Sequence, residues 1–235
     1  MSDGRLSVGI IGAGPVAVVL GQALASAGHQ VIGYSSTDPE RIERAQSMLP
    51  GVPVLTVPVI IERADLVLFA IPSAQLAPTI GGLSEAKLWR AGQLVAHTAG
   101  EFGFAILNSA QQQGVIPLAI HPAMTFTGTS IDLARIRESY FAVAAPTVAL
   151  PIAQALVIEM GAEPVVISEQ DRANYFEAIS VATNFSKMIV NQSIGLLESV
   201  GIENPRGVLG PVIRSAVEEA IADGHVPIEP EDLLD

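Results

Sequence analysis

The chain has 235 residues, 49% of them hydrophobic and only 15% charged, and its 24 acidic against 12 basic side chains give a formal net charge of −12. That balance argues against nucleic acid or an anionic membrane surface as a partner, and the lack of cysteine excludes disulfides, thiolate metal sites and cysteine nucleophiles. The length suits one large domain or a usual domain with a smaller one, and the apolar excess points to further burial between copies of the chain.

Residues 8–11 form a short apolar strand that runs into Gly12-Ala13-Gly14-Pro15-Val16-Ala17 and then into a helix reaching about Ala27. A second strand is predicted over 30–34. This strand, glycine turn and helix read as a dinucleotide pyrophosphate site. Gly12 allows the tight turn, Gly14 the approach of the backbone to phosphate, and Ala17 the close packing of helix on strand. The amides that open the helix, from Val16 onward, face the anion. The uncharged stretch 6–27 is too rich in glycine and proline for a membrane span, and no membrane segment or targeting signal is predicted. A cytoplasmic location is expected.

Asp38-Pro39-Glu40 then marks a helix start, with a side-chain acceptor, a preset φ and an acid near the positive end. Further strands are predicted over 52–55, 66–70, 93–96, 116–120, 141–144 and 164–167, with a helix over 146–160. Alternation of strands and helices implies an α/β fold: a Rossmann-type, doubly wound, mainly parallel sheet over residues 1–168.

Residues 169–235 change character. A stretch with no proline or strand run predicts one long helix over 169–200, about 45–50 Å in length. A second helix with Pro211 inside it follows over 205–223, and 226–235 reads as an acidic tail. This small all-α domain cannot bury much by itself. Its apolar residues, among them Tyr175, Phe176, Phe185, Met188 and Ile189, spread around the helix, which predicts a homodimer through the C-terminal helices.

Sites for NAD carry an acid at the end of the second strand. Here that position reads Ser35-Ser36-Thr37, followed by Arg41 and Arg44, so NADP(H) is preferred, with NAD(H) possible. Asp38 fits a helix cap better than a ribose ligand. Ile71, Pro72 and Ser73 end the strand at 66–70, and His97-Thr98 end the strand at 93–96, where open α/β sheets place ligands.

Asn184, Lys187 and Asn191 share a helix face amid apolar residues. A partly desolvated ammonium can polarise a carbonyl and deliver a proton, so Lys187 is the candidate acid, with Asn184 and Asn191 positioning substrate. A snorkelling lysine with two asparagines bonding between helices is the structural alternative. His97 and His121 stand at strand ends, where an imidazole can titrate near neutrality and serve in acid–base work, with a ring simply hydrogen-bonded beneath a loop as the alternative; His121 is the candidate for shaping the floor of the cleft. No metal-site spacing accompanies them, and no metal is predicted.

The stretches Val95-Ala96-His97-Thr98-Ala99-Gly100 and 116–126, the latter ending His121-Pro122-Ala123-Met124-Thr125-Phe126, resemble those of Rossmann-like proteins whose C-terminal part is a helical domain of unknown function. These are relatives of ketopantoate reductase, pyrroline-5-carboxylate reductase and 6-phosphogluconate dehydrogenase. Lys187-x-x-x-Asn191 is similar to the lysine–asparagine pair of ketopantoate reductase and the β-hydroxyacid dehydrogenases, which implies a lysine acid and a substrate-binding asparagine. Two departures stand out: Ala99 replaces the serine usual in that stretch, and the sequence stops where many relatives continue into an arginine-rich ending. The resemblance and the residues together imply NADPH-dependent hydride transfer to a small carboxylate-bearing carbonyl or imine, a ketopantoate-like 2-oxo acid first. A non-catalytic NADP(H) sensor is the alternative.

Overall fold

The apolar runs form seven strands: β1 (Ser7–Ile11), β2 (Gln30–Ser35), β3 (Leu66–Phe69), β4 (Leu94–His97), β5 (Ile116–Pro122), β6 (Tyr140–Ala144) and β7 (Glu163–Val166). Every residue of β3 and β4 is buried, as expected where helices cover both faces of a parallel sheet. The computed structural model describes residues 5–224, so the expected acidic tail at 226–235 lies outside the described residues.

The strands lie in the order β2-β1-β3-β4-β5-β6-β7. All neighbours are parallel except β5 and β6, which pair antiparallel from Ala119↔Ala144 to Pro122↔Phe141. The sheet is thus the mainly parallel one read from the sequence. Strand order reverses at β1, with β2 on one side and β3 on the other, which opens a crevice at the carboxyl end of β1.

Helices α1 (Pro15–Ser26), α2 (Pro39–Met48), α3 (Val57–Arg63), α4 (Ser73–Glu85), α5 (Asn108–Gln111), α6 (Ile131–Ile136) and α7 (Leu150–Glu159) cover the sheet. One core joins Leu20 and Leu24 of α1, Ala45 of α2 and Leu156 of α7 to Ile10 and Phe141. The other joins Ile60 of α3, Leu76 of α4 and Ala110 of α5 to Phe69 and Trp89.

The strand expected over 52–55 is not formed. Only an isolated bridge joins Tyr34 to Val54, with Tyr34 N donating to Pro53 O at 3.1 Å and Leu55 N to Tyr34 O at 2.9 Å. Pro53 has no N–H with which to extend a ladder. The chain turns instead into α3, a helix the sequence pattern did not suggest, with Pro58 in its first turn.

The chain divides into two compact units, Met1–Ala178 and Ile179–Asp235. The boundary falls inside α8 (Arg172–Ser199) rather than before it, because Arg172 is buried in the first unit and Tyr175 and Phe176 pack edge-on against His121. The second unit holds the rest of α8 and α9 (Pro205–Asp223), whose only buried residue is Pro205.

Candidate functional site

Gly12 leaves β1 at φ +120°, and a Cβ there would stand 2.3 Å from the Ala70 carbonyl oxygen. Only glycine fits, because the left-handed conformation and the close strand exclude any side chain. Gly12 N donates to Ser35 O at 3.1 Å, and Ala70 N to Ile11 O at 2.9 Å, so the turn is tied to both flanking strands. Gly14 then caps α1 with extended backbone and without a side-chain hydrogen bond. The free amides of the first turn, that of half-buried Val16 among them, are what an anion needs.

A cleft of about 770 Å³ opens here. Gly12, Ser35, Ser36, Arg41, Ile71 and Pro72, all predicted cofactor residues, line it together with Val54–Pro58. Gly14 and Pro15 line a second cavity of about 600 Å³, which shares Ala13 and Arg41 with the first and includes Arg44 and Thr127. Ser73 lies at the first position of α4 and lines neither.

Asp38 acts as a helix cap. Its Oδ1 accepts from Glu40 N at 3.0 Å and Arg41 N at 3.3 Å, and its Oδ2 lies 3.1 Å from Arg41 Nε. Arg44 pairs with Glu40 at 3.2 Å. Both arginines are exposed, so these pairs are weak and exchangeable.

At the ends of β4 and β5 the two histidines differ from expectation. The His97 side chain does not line the cleft: it is 0% exposed, and its Nε2–H donates to Gly103 O at 2.9 Å. It holds the 98–103 turn from inside, and its backbone alone borders the neighbouring Thr98, whose N donates to Phe69 O at 3.1 Å. Burial pushes the His97 imidazole down to about 4. His121 is half-buried, with Nδ1 2.8 Å from the Tyr175 hydroxyl, and burial followed by the Arg172 charge pushes it down to about 4. Both rings are therefore neutral at pH 7.

Tyr175 and Arg172 escaped the sequence reading as site residues. One signal was available: an arginine in the first turn of a helix opposes the helix dipole and calls for a reason.

Asn184, Lys187 and Asn191 are exposed on α8, so the apolar surroundings expected for them are absent among the described residues. Lys187 and Asn191 share a shallow depression of about 300 Å³ with Ser186 and Val190, which Asn184 does not line. Among the described residues no group of three His, Asp or Glu side chains is arranged to hold a metal ion, and no helix is long and apolar enough to cross a membrane.

Known structures share this architecture. A candidate NADP oxidoreductase from Bacteroides fragilis is 20% identical, with a TM-score of 0.74 over 92% of this chain and 80% of its own. The pyrroline-5-carboxylate reductase of Streptococcus pyogenes is 18% identical, with a TM-score of 0.70 over 99% and 85%. The pyrroline carboxylate reductase of Plasmodium falciparum, determined with NADP bound, is 11% identical, with a TM-score of 0.64 over 94% and 80%. No curated protein sequence matches. Residues 139–227 match the domain of unknown function DUF2520. With residues 1–122 matched as well, the chain belongs to the Rossmann-like domain family and carries the DUF2520 domain behind it.

Proposed function

We propose that the protein is an NADPH-dependent reductase that adds hydride to the carbonyl or imine carbon of a small carboxylate-bearing metabolite, a ketopantoate-like 2-oxo acid first. The observation that carries this reading is the glycine turn at the strand-order reversal, opening onto a cleft lined by Ser35, Ser36 and Arg41, where the one lining acid, Asp38, spends its Oδ1 on capping α2 and sets its Oδ2 against Arg41. The nearness in fold to an NADP oxidoreductase and to reductases supports it.

The residues fit the cofactor. The Gly12 turn leaves no room for a side chain where a pyrophosphate needs the backbone, and the first amides of α1 are uncapped. Gly12, Gly14, Pro15 and Val16 would hold the pyrophosphate, Ser35, Ser36 and Arg41 the 2′-phosphate, and Ile71, Pro72, Ser73 and Thr98 the remainder. When bound, the cofactor supplies a hydride. Lys187 polarises the substrate oxygen or gives it a proton, Asn184 and Asn191 position the substrate, and His121 shapes the cleft. The working form is a cytoplasmic homodimer through the C-terminal helices. Apolar α8 and α9 side chains exposed in the single chain support that assembly.

The test is a fluorescence titration with NADPH and NADH on the wild type and Lys187→Ala. The reading expects tighter NADPH binding, unchanged in the variant, with turnover lost only in the variant. Binding without turnover in the wild type would instead favour the sensor, and failure to bind either nucleotide would remove both.

A further inference from the structure

Arg172 is 1% exposed, yet its Nε and Nη1 have no partner, and Nη2 reaches only Ala142 O at 3.4 Å. Buried polar groups are normally satisfied, and an unpaired buried charge costs several kcal/mol, so such an exception calls for a cause. The guanidinium lies 5.9 Å from the centre of the Tyr175 ring. Among the described residues no carboxylate lies within ion-pair distance of it. Glu169, the acid whose charge it feels, spends its Oε1 on the Phe104 amide at 2.6 Å. The Glu101 charge acts on the two histidines, opposing the fall that burial causes.

With His97 and His121 neutral, the Arg172 guanidinium is the cluster's positive charge, felt by Glu169 but in ion-pair contact with no carboxylate among the described residues. The group beside it able to become negative is the Tyr175 phenol. That hydroxyl lies 2.8 Å from His121 Nδ1. The cluster stands at the carboxyl ends of β4 and β5, where His121 also closes on Gly100: a Cβ there would lie 2.8 Å from His121 Nε2. Tyr175 is half-buried, so its edge is open.

We propose that Tyr175 is the proton donor of the reductase reaction, with Arg172 as the positioning residue that stabilises the phenolate left behind. The inference rests on the reductase reading and leaves Lys187 the task of polarising the substrate. In the tautomer that serves this role, His121 Nδ1–H donates to the tyrosine oxygen and frees the phenol hydrogen to point at substrate. As the substrate carbon gains the hydride, its oxygen or nitrogen takes the Tyr175 proton. The tyrosine O–H bond breaks, a new O–H or N–H bond forms, and the electron pair stays on the phenolate, which accepts from the His121 N–H and has the Arg172 charge 5.9 Å from its ring centre. Water returns the proton after product leaves. Burial holds the phenol above its ordinary range and so keeps it protonated at neutral pH, while Arg172 opposes that rise.

The experiment uses the full chain with Tyr175→Phe, which keeps the ring and removes only the hydroxyl. Turnover should fall about a hundredfold or more, with NADPH affinity unchanged, and the alkaline limb of the rate profile should vanish. A second readout needs no cofactor: tyrosine ionisation followed by carbon NMR, with Tyr175 identified through Tyr175→Phe. Arg172→Gln should raise that ionisation by about one pKa unit, and Arg172→Lys should largely restore it. If Arg172→Gln does not fold, Tyr175→Phe and Arg172→Lys carry the test. Undiminished turnover in Tyr175→Phe, or a Tyr175 ionisation indifferent to position 172, would overturn the donor assignment and leave the reductase standing. A wild type that binds NADPH and reduces nothing would remove the reductase reading and this one with it.

Discussion

Val19, Ile60 and Phe141 in the sheet unit and Phe185, Met188 and Ile189 on α8 are equally apolar, yet the first three are 0% exposed and the last three are 54–58% exposed. The sheet unit closes its two cores with its own helices. Among the described residues of the helical region, large apolar side chains on both α8 and α9 stay exposed. The difference teaches that the high hydrophobic content of this chain has two expressions: self-sufficient packing in the first unit, and exposed apolar surface in the second, which the proposed dimer would cover.

The comparison breaks most visibly at the exposed helix face. Phe185→Asp with Met188→Asp should weaken self-association by about 4 kcal/mol, roughly a thousandfold, seen as monomers in sedimentation while the sheet unit stays folded. A wild type that sediments as a monomer would remove the proposed dimer altogether.

The buried histidine of the sheet unit gives the next effect. His97 holds its proton only below about 4 in the folded chain, against about 6.5 in the unfolded one. Unfolded chains therefore take up a proton first as the pH falls. Stability is full above about 6.5 and declines toward 4, by about 3 kcal/mol in all, with His121 adding in the same direction. Denaturant melts across that range should show the decline, and His97→Asn should flatten it.

Gly12→Val sharpens the comparison inside the sheet unit, because the added carbons meet the Ala70 carbonyl. A loss of about 2–3 kcal/mol in stability is expected, with NADPH binding abolished in calorimetry. Arg41→Ala acts more gently: about a tenfold loss of NADPH affinity, or ~1.4 kcal/mol, with NADH affinity unmoved.

Much of the first unit is legible in the sequence because its signals are local. The β1 run, the glycine turn and the Asp38-Pro39-Glu40 cap are each set by neighbouring residues, and they form as read. The strand at 52–55 misled because its apolar residues look like a ladder, whereas Pro53 denies the ladder a donor. His97 misled for a related reason. Its place at the end of β4 was correct, but which way the ring turns is decided by Gly103, six residues on. The Arg172–Tyr175–His121 cluster depends on a contact spanning 54 residues, and no spacing rule reports that. Lys187 and the asparagines share a helix face as read. All three are exposed, so no local spacing fixes their surroundings.

The measurement that tests the central claim most directly is NADPH oxidation at saturating cofactor against a panel of 2-oxo acids and cyclic imines, with binding checked first. The reading predicts turnover of a carboxylate-bearing member of the panel, lost in Tyr175→Phe while NADPH still binds. Firm NADPH binding with no oxidation across the panel would contradict it and leave a protein that holds the nucleotide without using it.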